Sequence, residues 1–155
     1  MQERYLFKAK RIKDGQWVEG AIYMEPYTDR YYIIQWNSTG LGFNEFIEVD
    51  GETICQCTGL KDKNGNMIWE NDILDGFTYP YMSDGVHNYY AEVCWFTNAL
   101  AFGIWIQKYP ESKVSGVSTG ITEDMEDWNL NDWEVIGNTF DNPELLEEKN
   151  GNMQT

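Results

Sequence analysis

Positive charge is scarce in this chain, with 11 Lys and Arg against 26 Asp and Glu in 155 residues, a formal net charge of -15. Phosphate backbones and anionic lipid both need a cationic surface, so no direct nucleic-acid partner and no membrane partner is expected. Histidine is nearly absent, His87 standing alone. Cysteine is limited to Cys55, Cys57 and Cys94, an odd count without the spacing of a secreted disulfide scaffold, and reduced thiols in a cytoplasmic protein are the simpler expectation. No apolar run approaches the ~18 residues of a membrane span, and Met1–Lys8 does not have the pattern of a signal peptide. No glycine loop followed by lysine is present to cradle a phosphate, and Gly40–Phe43 lacks the strand-to-helix context such a loop needs.

What the chain does have is a core-forming composition: 42% hydrophobic and 15% aromatic residues, with 7 Trp and 10 Tyr. Its length is about one domain, enough to hide roughly 70% of the unfolded surface without metal or disulfide support. Asp or Asn followed by Gly recurs at Asp14, Asp50, Asn64, Asp75, Asp84 and Asn150. Such pairs tolerate the positive φ of tight turns and mark strand reversals. Between them lie β-branched and aromatic segments over 5–12, 16–22, 30–36, 45–49, 53–57, 89–96 and 102–108. With no long stripe of 3.6 period, short antiparallel strands in a small β-barrel-containing, mostly β fold are expected.

The opening segment places Lys8 and Lys10 opposite Phe7 and Ala9, and the Asp14 and Gly15 turn makes it the first hairpin. Its lysines read as solubilising guards on an edge strand, or as partners for the acidic C-terminal face of the same or a neighbouring molecule. Helix signals are confined to the C-terminal third. Thr122 is placed to cap a short helix with Glu123 and Asp124 in its first turn. Asn142, Pro143 and the apolar pair Leu145 and Leu146 suit a last single-turn helix. Residues 1–146 read as one domain, with two packed subdomains of about 1–57 and 58–146 left open, and 147–155 as a flexible tail. Lys13–Ile22 faintly echoes Lys63–Ile73, which is the common grammar of a turn followed by an amphipathic strand.

Two segments carry a family resemblance. The first is Gln56–Gly65 followed by Ile68–Ile73; the second is Glu134–Asn138 followed by Asp141–Leu146. Together with the opening hairpin and the central Glu92–Trp95 segment, they resemble the YopX family of small phage- and prophage-encoded proteins. The resemblance implies a mostly β, barrel-containing fold that self-associates, of phage or prophage origin, and it implies no mechanism. Cys57 stands where the family more often has an aromatic residue. Asn71 stands where glycine is usual, which makes it a candidate for positive φ. Read physically, Asn64 and Gly65 form one turn, Met67–Trp69 an incoming strand, and Glu70–Asp72 a second turn before Ile73 and Leu74 enter the core. Thr58 and Asp62 suit local bonds to backbone, and nothing in the segment needs a ligand.

Tests for chemistry mostly fail. Asp62, Asn64 and Asn66 mimic a calcium loop, but its sixth and twelfth positions hold Met67 and Ile73 instead of Gly and Glu. Cys55, Cys57, Cys94 and His87 are a conceivable zinc set, but thiols in strand patterns are read as core packing, with no metal and no cofactor expected. His87 and Cys94 would lie roughly 23 Å apart on extended chain, out of reach as a catalytic pair. Carboxylate pairs are abundant enough to arise by chance, so a hydrolase using paired carboxylates remains only the rival class. Basic residues among Tyr5 and Phe7 could track a single nucleic-acid strand, but the overall field opposes it.

Charge is also uneven: residues 1–13 hold five bases and one acid, whereas 111–148 hold eleven acids and one lysine. The acidic centre, Glu123, Asp124, Glu126, Asp127, Asp132 and Glu134, is either a solvated face or an anionic patch for a basic partner. A duplex as long as a compact domain of this size, ~38 Å, carries ~22 phosphate charges, so a DNA-mimic reading is the sharper alternative. The favoured expectation is a non-enzymatic protein of the bacterial host cytoplasm that acts by contact with its own copies or with a basic host protein. Trp17, Trp36, Trp69 and Trp105 fall in strand-like segments and read as core. The candidate partner-binding residues are Glu123, Asp124, Glu126, Asp127, Trp128 and Trp133.

Overall fold

The computed structural model describes residues 3–36, 44–76, 90–97, 100–108, 121–124 and 133–146, with side chains for all of these but 36, 105–108 and 121–124. The chain divides into two compact units, Met1–Leu60 and Lys61–Thr155. Both are built from antiparallel strands.

In the first unit, β1 (Phe7–Lys10), β2 (Trp17–Met24), β3 (Tyr31–Trp36), β4 (Asn44–Val49) and β5 (Cys55–Lys61) are ordered β4-β3-β2-β1-β5. The first hairpin turns where expected. Gly15 takes φ 70, and Asp14 accepts the Gln16 N–H at 3.1 Å while Arg11 grips both its carboxylate oxygens. Period-two alternation then sorts the side chains: Ala9, Val18, Ile33 and Val49 form the buried core, with Phe7, Ile22, Tyr31, Ile47 and Ile54 packed around it. Each fully buried Val or Ile side chain contributes about 1.5–3 kcal/mol.

β1 is not an edge strand. It pairs with β2 on one side and β5 on the other, so its lysines guard no edge. Lys8 and Lys10 instead stand over the Trp17 ring, at 5.1 and 5.4 Å from its centroid. The expected barrel does not close. β4 reaches the chain beyond β1 only through the isolated bridge of Arg11 to Val49, with Ile12 N–H donating to Glu48 C=O at 3.1 Å and Asp50 N–H to Lys10 C=O at 2.8 Å. A barrel needs a continuous ladder between its first and last strands, and one bridge does not supply it.

In the second unit, β6 (Met67–Trp69) precedes a sheet ordered β10-β9-β8-β7-β11. Its strands are β7 (Asp72–Asp75), β8 (Tyr90–Phe96), β9 (Ala101–Lys108), β10 (Ile121–Asp124) and β11 (Glu134–Asn138). Ile68, Ile73, Leu74, Ala91, Val93 and Ile104 are buried, as are Trp69 and Trp133. The helix expected from Thr122 is strand β10: Thr122 pairs with Trp105 and Ile121 with Ile106 of β9, and this ladder overrides the local capping signal. At the other site, Pro143–Leu145 form a single 3-10 turn whose Asn142 makes no side-chain cap bond. No C-terminal α-helix is found among the described residues. No helix among them is long and apolar enough to cross a membrane. Residues 147–155 lie outside the described residues.

Candidate functional site

The first resemblance segment is a turn built around one buried carboxylate. Asp62 is 6% exposed. Its Oδ1 accepts the N–H groups of Asn64 and Asn66, each at 2.9 Å, and its Oδ2 accepts the Val135 N–H at 3.0 Å and the Asn66 side-chain amide at 3.3 Å. Burial by itself pushes the Asp62 pKa up, but the donors from Val135, Asn66 and Asn64 outweigh it and hold the carboxyl below its ordinary value. Around it, Lys63 N–H donates to Trp133 C=O at 3.0 Å, and Lys63 Nζ meets Glu134 Oε2 at 2.8 Å. Asn64 Nδ2 donates to Glu134 Oε1 at 3.1 Å.

The next turn uses Asn71 at φ 66, the left-handed conformation anticipated for it. Its N–H donates to Val93 C=O at 2.8 Å, and its C=O accepts the Thr139 N–H at 2.9 Å. Asp72, 1% exposed, accepts the Trp69 N–H at 2.8 Å. β11 then lies beside β7, pairing Glu134 with Asp75, Val135 with Leu74, Gly137 with Ile73 and Asn138 with Asp72 across a bulge. Asp62 and the pair Asp72 and Ile73 of the first resemblance segment therefore meet Val135, Gly137 and Asn138 of the second, over 60 residues on in the sequence.

Asp75 is the residue here with an unmet need. It is 9% exposed, and its Oδ1 has no hydrogen-bond partner. Burial raises its pKa, the facing Glu134 raises it further, and Lys63 pulls the other way. Cys94 is pushed up to about 12 by burial first and then by the charges of Glu92 and Glu70, so the thiol stays protonated and a poor nucleophile at neutral pH. Cys55 and Cys57 are fully buried. No group of three or more His, Cys, Asp or Glu suited to a metal occurs among the described residues. Among the described residues, this arrangement organises backbone donors around the Asp62 and Asp72 carboxylates.

The candidate partner-binding residues do not form one described surface. Glu123 and Asp124 lie on β10, in register with Ile104 and Gly103. Glu126, Asp127 and Trp128, like Asp132 and His87, lie outside the described residues. Trp133 is 3% exposed and belongs to the core. Its ring fills the space that Gly76 leaves, where an added Cβ would sit 2.4 Å from it. Glu134 is held by Lys63 and Asn64.

An exposed aromatic face occurs elsewhere, in the first unit. Ladder pairing sets Tyr23 opposite Tyr32, and Ile34 between Ala21 and Phe46, so these side chains share the sheet face turned away from Ile33 and Val49. Tyr23 and Phe46 are 40% and 55% exposed. Their rings meet edge to face at 6.0 Å, and Tyr23 lies 6.1 Å from Tyr32. Period-two alternation in 21–23, 32–34 and 44–48 was the available signal, but the sequence alone does not say which of the two faces is covered.

A comparison with curated proteins finds no match. Among solved structures, the chain is similar to the crystal structure of protein EF1440 from Enterococcus faecalis, at 22% identity over 91% of this chain and 96% of that chain, with a TM-score of 0.45. The family model described as YopX protein matches residues 6–147, a span containing the opening strand, both buried-carboxylate turns and β11, and the chain belongs to the YopX family.

Proposed function

We propose that this is a non-enzymatic protein of phage or prophage origin that works by protein–protein contact, with its own copies as the first partner. The observation that supports the reading is the open aromatic face of the first unit, where Tyr23 and Phe46 stand 40% and 55% exposed in ring contact with each other. Contiguous exposed aromatics are costly to leave in water, and Tyr and Phe are favoured at interface cores. Sedimentation velocity from about 1 µM to about 500 µM, the range that brackets small interfaces, tests it. The expected result is a concentration-dependent shift from the 18.1 kDa chain to larger species, with a melting temperature that rises with concentration. A single 18.1 kDa species at every concentration overturns self-assembly.

A further inference from the structure

Among the described residues β11 ends its sheet and pairs only with β7. Its seat depends on a few further contacts. Val135 N–H reaches Asp62 Oδ2 at 3.0 Å, Trp133 C=O accepts the Lys63 N–H at 3.0 Å, and the Trp133 ring lies in the space left by Gly76. At one end of the ladder Glu134 stands opposite Asp75. We propose that this seam is an acid-closed clasp: protonated Asp75 keeps β11 and Trp133 seated, and ionised Asp75 lets them lift from β7 while the rest of the sheet stays folded.

Residues opposite each other in an antiparallel ladder project to the same face, with Cβ atoms about 4.5–5.5 Å apart, and like charges there repel. Asp75 is 9% exposed, and its Oδ1 has no hydrogen-bond partner. The groups that face it are Glu134 from β11, Lys63 from the turn before β6 and Tyr90 from β8. Lys63 Nζ is drawn to Glu134 Oε2, at 2.8 Å, and the Asn64 amide to Glu134 Oε1, at 3.1 Å, so these donors serve Glu134. An ionised carboxylate can only accept, which leaves Asp75 Oδ1 a charged acceptor facing a second acceptor in a dry place. Protonation removes the repulsion and gives Asp75 a hydrogen to donate. Lifting β11 relieves the same conflict by the other route, since it takes Glu134 away and admits water to Asp75.

Burial and Glu134 both raise the Asp75 pKa in the seated state, against the pull of Lys63. The clasp is therefore fully closed below 3.8 and loosens as pH rises through the seated value. Asp62 has the opposite sign. Its hold on Val135 is complete above 3.8, so that contact stays constant over the range in which Asp75 ionises. The opening is local, because β11 is released by breaking one ladder, whereas β8 is held by ladders to both β7 and β9.

Hydrogen exchange of the full-length protein between pH 3.8 and about pH 7, read by mass spectrometry and corrected for the intrinsic pH dependence of exchange, tests this. Protection over 134–138 should fall about threefold or more across that range, while protection over 90–96 stays level. Asp75→Asn, which cannot ionise, should make the protection of β11 independent of pH. Glu134→Gln should reduce the fall by removing the opposing charge. Level protection of β11 in the parent overturns the clasp. An equal fall in β8 overturns it too, since the whole sheet is then unfolding, and so does a fall that persists in Asp75→Asn, which assigns it to another group. Should Asp75→Asn fail to fold, an undiminished fall in Glu134→Gln overturns it.

Discussion

Asp62 accepts three backbone N–H groups, from Asn64, Asn66 and Val135, in a place with little access to water. Asp62→Ala leaves those donors unmet, and a loss on the order of 3 kcal/mol in urea unfolding is expected. Because its folded pKa lies below the ordinary 3.8, its stabilisation is present above that value and lost as pH falls through the folded one. Asp75 has the opposite sign. Its pKa is raised above 3.8, so its contribution is complete below 3.8 and lost as pH rises through the folded value, and the ionised group weakens the fold at neutral pH. Asp75→Asn should therefore raise unfolding stability at pH 7, with the gain shrinking toward pH 3.8; an equal gain at both pH values would contradict the assignment. The thiols make a third residue-level case. With Cys55 and Cys57 fully buried and Cys94 at about 12, iodoacetamide at pH 8 should label none of them in the native protein within an hour and all of them in urea. Asn71 and the bonds of Asp62 to Asn64 and Asn66 could be anticipated from sequence because they are local turn chemistry, whereas the bond of Asp62 to Val135, 73 residues on, could not. Trp133 could not, since an acidic stretch of sequence suggests a solvated segment while its burial depends on Gly76, far back in the chain.

At the level of elements, strands announced by a turn and an alternating run were readable, as β1 through β5, β8 and β9 illustrate. β10 was not, because Thr122, Glu123 and Asp124 spell a helix start, and only the ladder to β9 decides otherwise. β1 shows a related limit: alternation identified the faces of its lysines correctly, but whether a strand is central or at an edge depends on a partner, β5, more than forty residues on. The seat of β11 offers a test of such distant packing. Trp133, immediately before that strand, lies against Gly76, immediately after β7, and an added Cβ would meet the ring carbons at 2.4 to 2.6 Å. Neither a buried indole nor a strand-end backbone yields easily. Gly76→Ala should cost about 1–3 kcal/mol and lower the melting temperature by several degrees. A change within 1 °C in differential scanning calorimetry would mean that the ring is free to move.

Across the whole molecule, fold class followed from composition and turn spacing, while closure did not, because whether β4 completes a ladder with the chain beyond β1 is settled by sheet curvature that no local pattern encodes. Charge is the other global property, and it bears directly on assembly. Residues 61–155 carry 17 acids and 5 bases, residues 1–60 only 9 acids and 6 bases, so the aromatic face proposed as the contact between copies lies on the less negative part of the chain. The total of -15 still repels at range. That repulsion reaches about 30 Å at 0.01 M salt and about 8 Å at 0.15 M, whereas exposed ion pairs contribute only about 0–1 kcal/mol each. Screening therefore removes more repulsion between bodies than attraction at the contact. The association constant from sedimentation velocity should rise severalfold as salt goes from about 0.01 M to about 0.15 M. A fall over the same range would mean that ion pairing, and not the burial of the exposed Tyr23 and Phe46, holds the copies together.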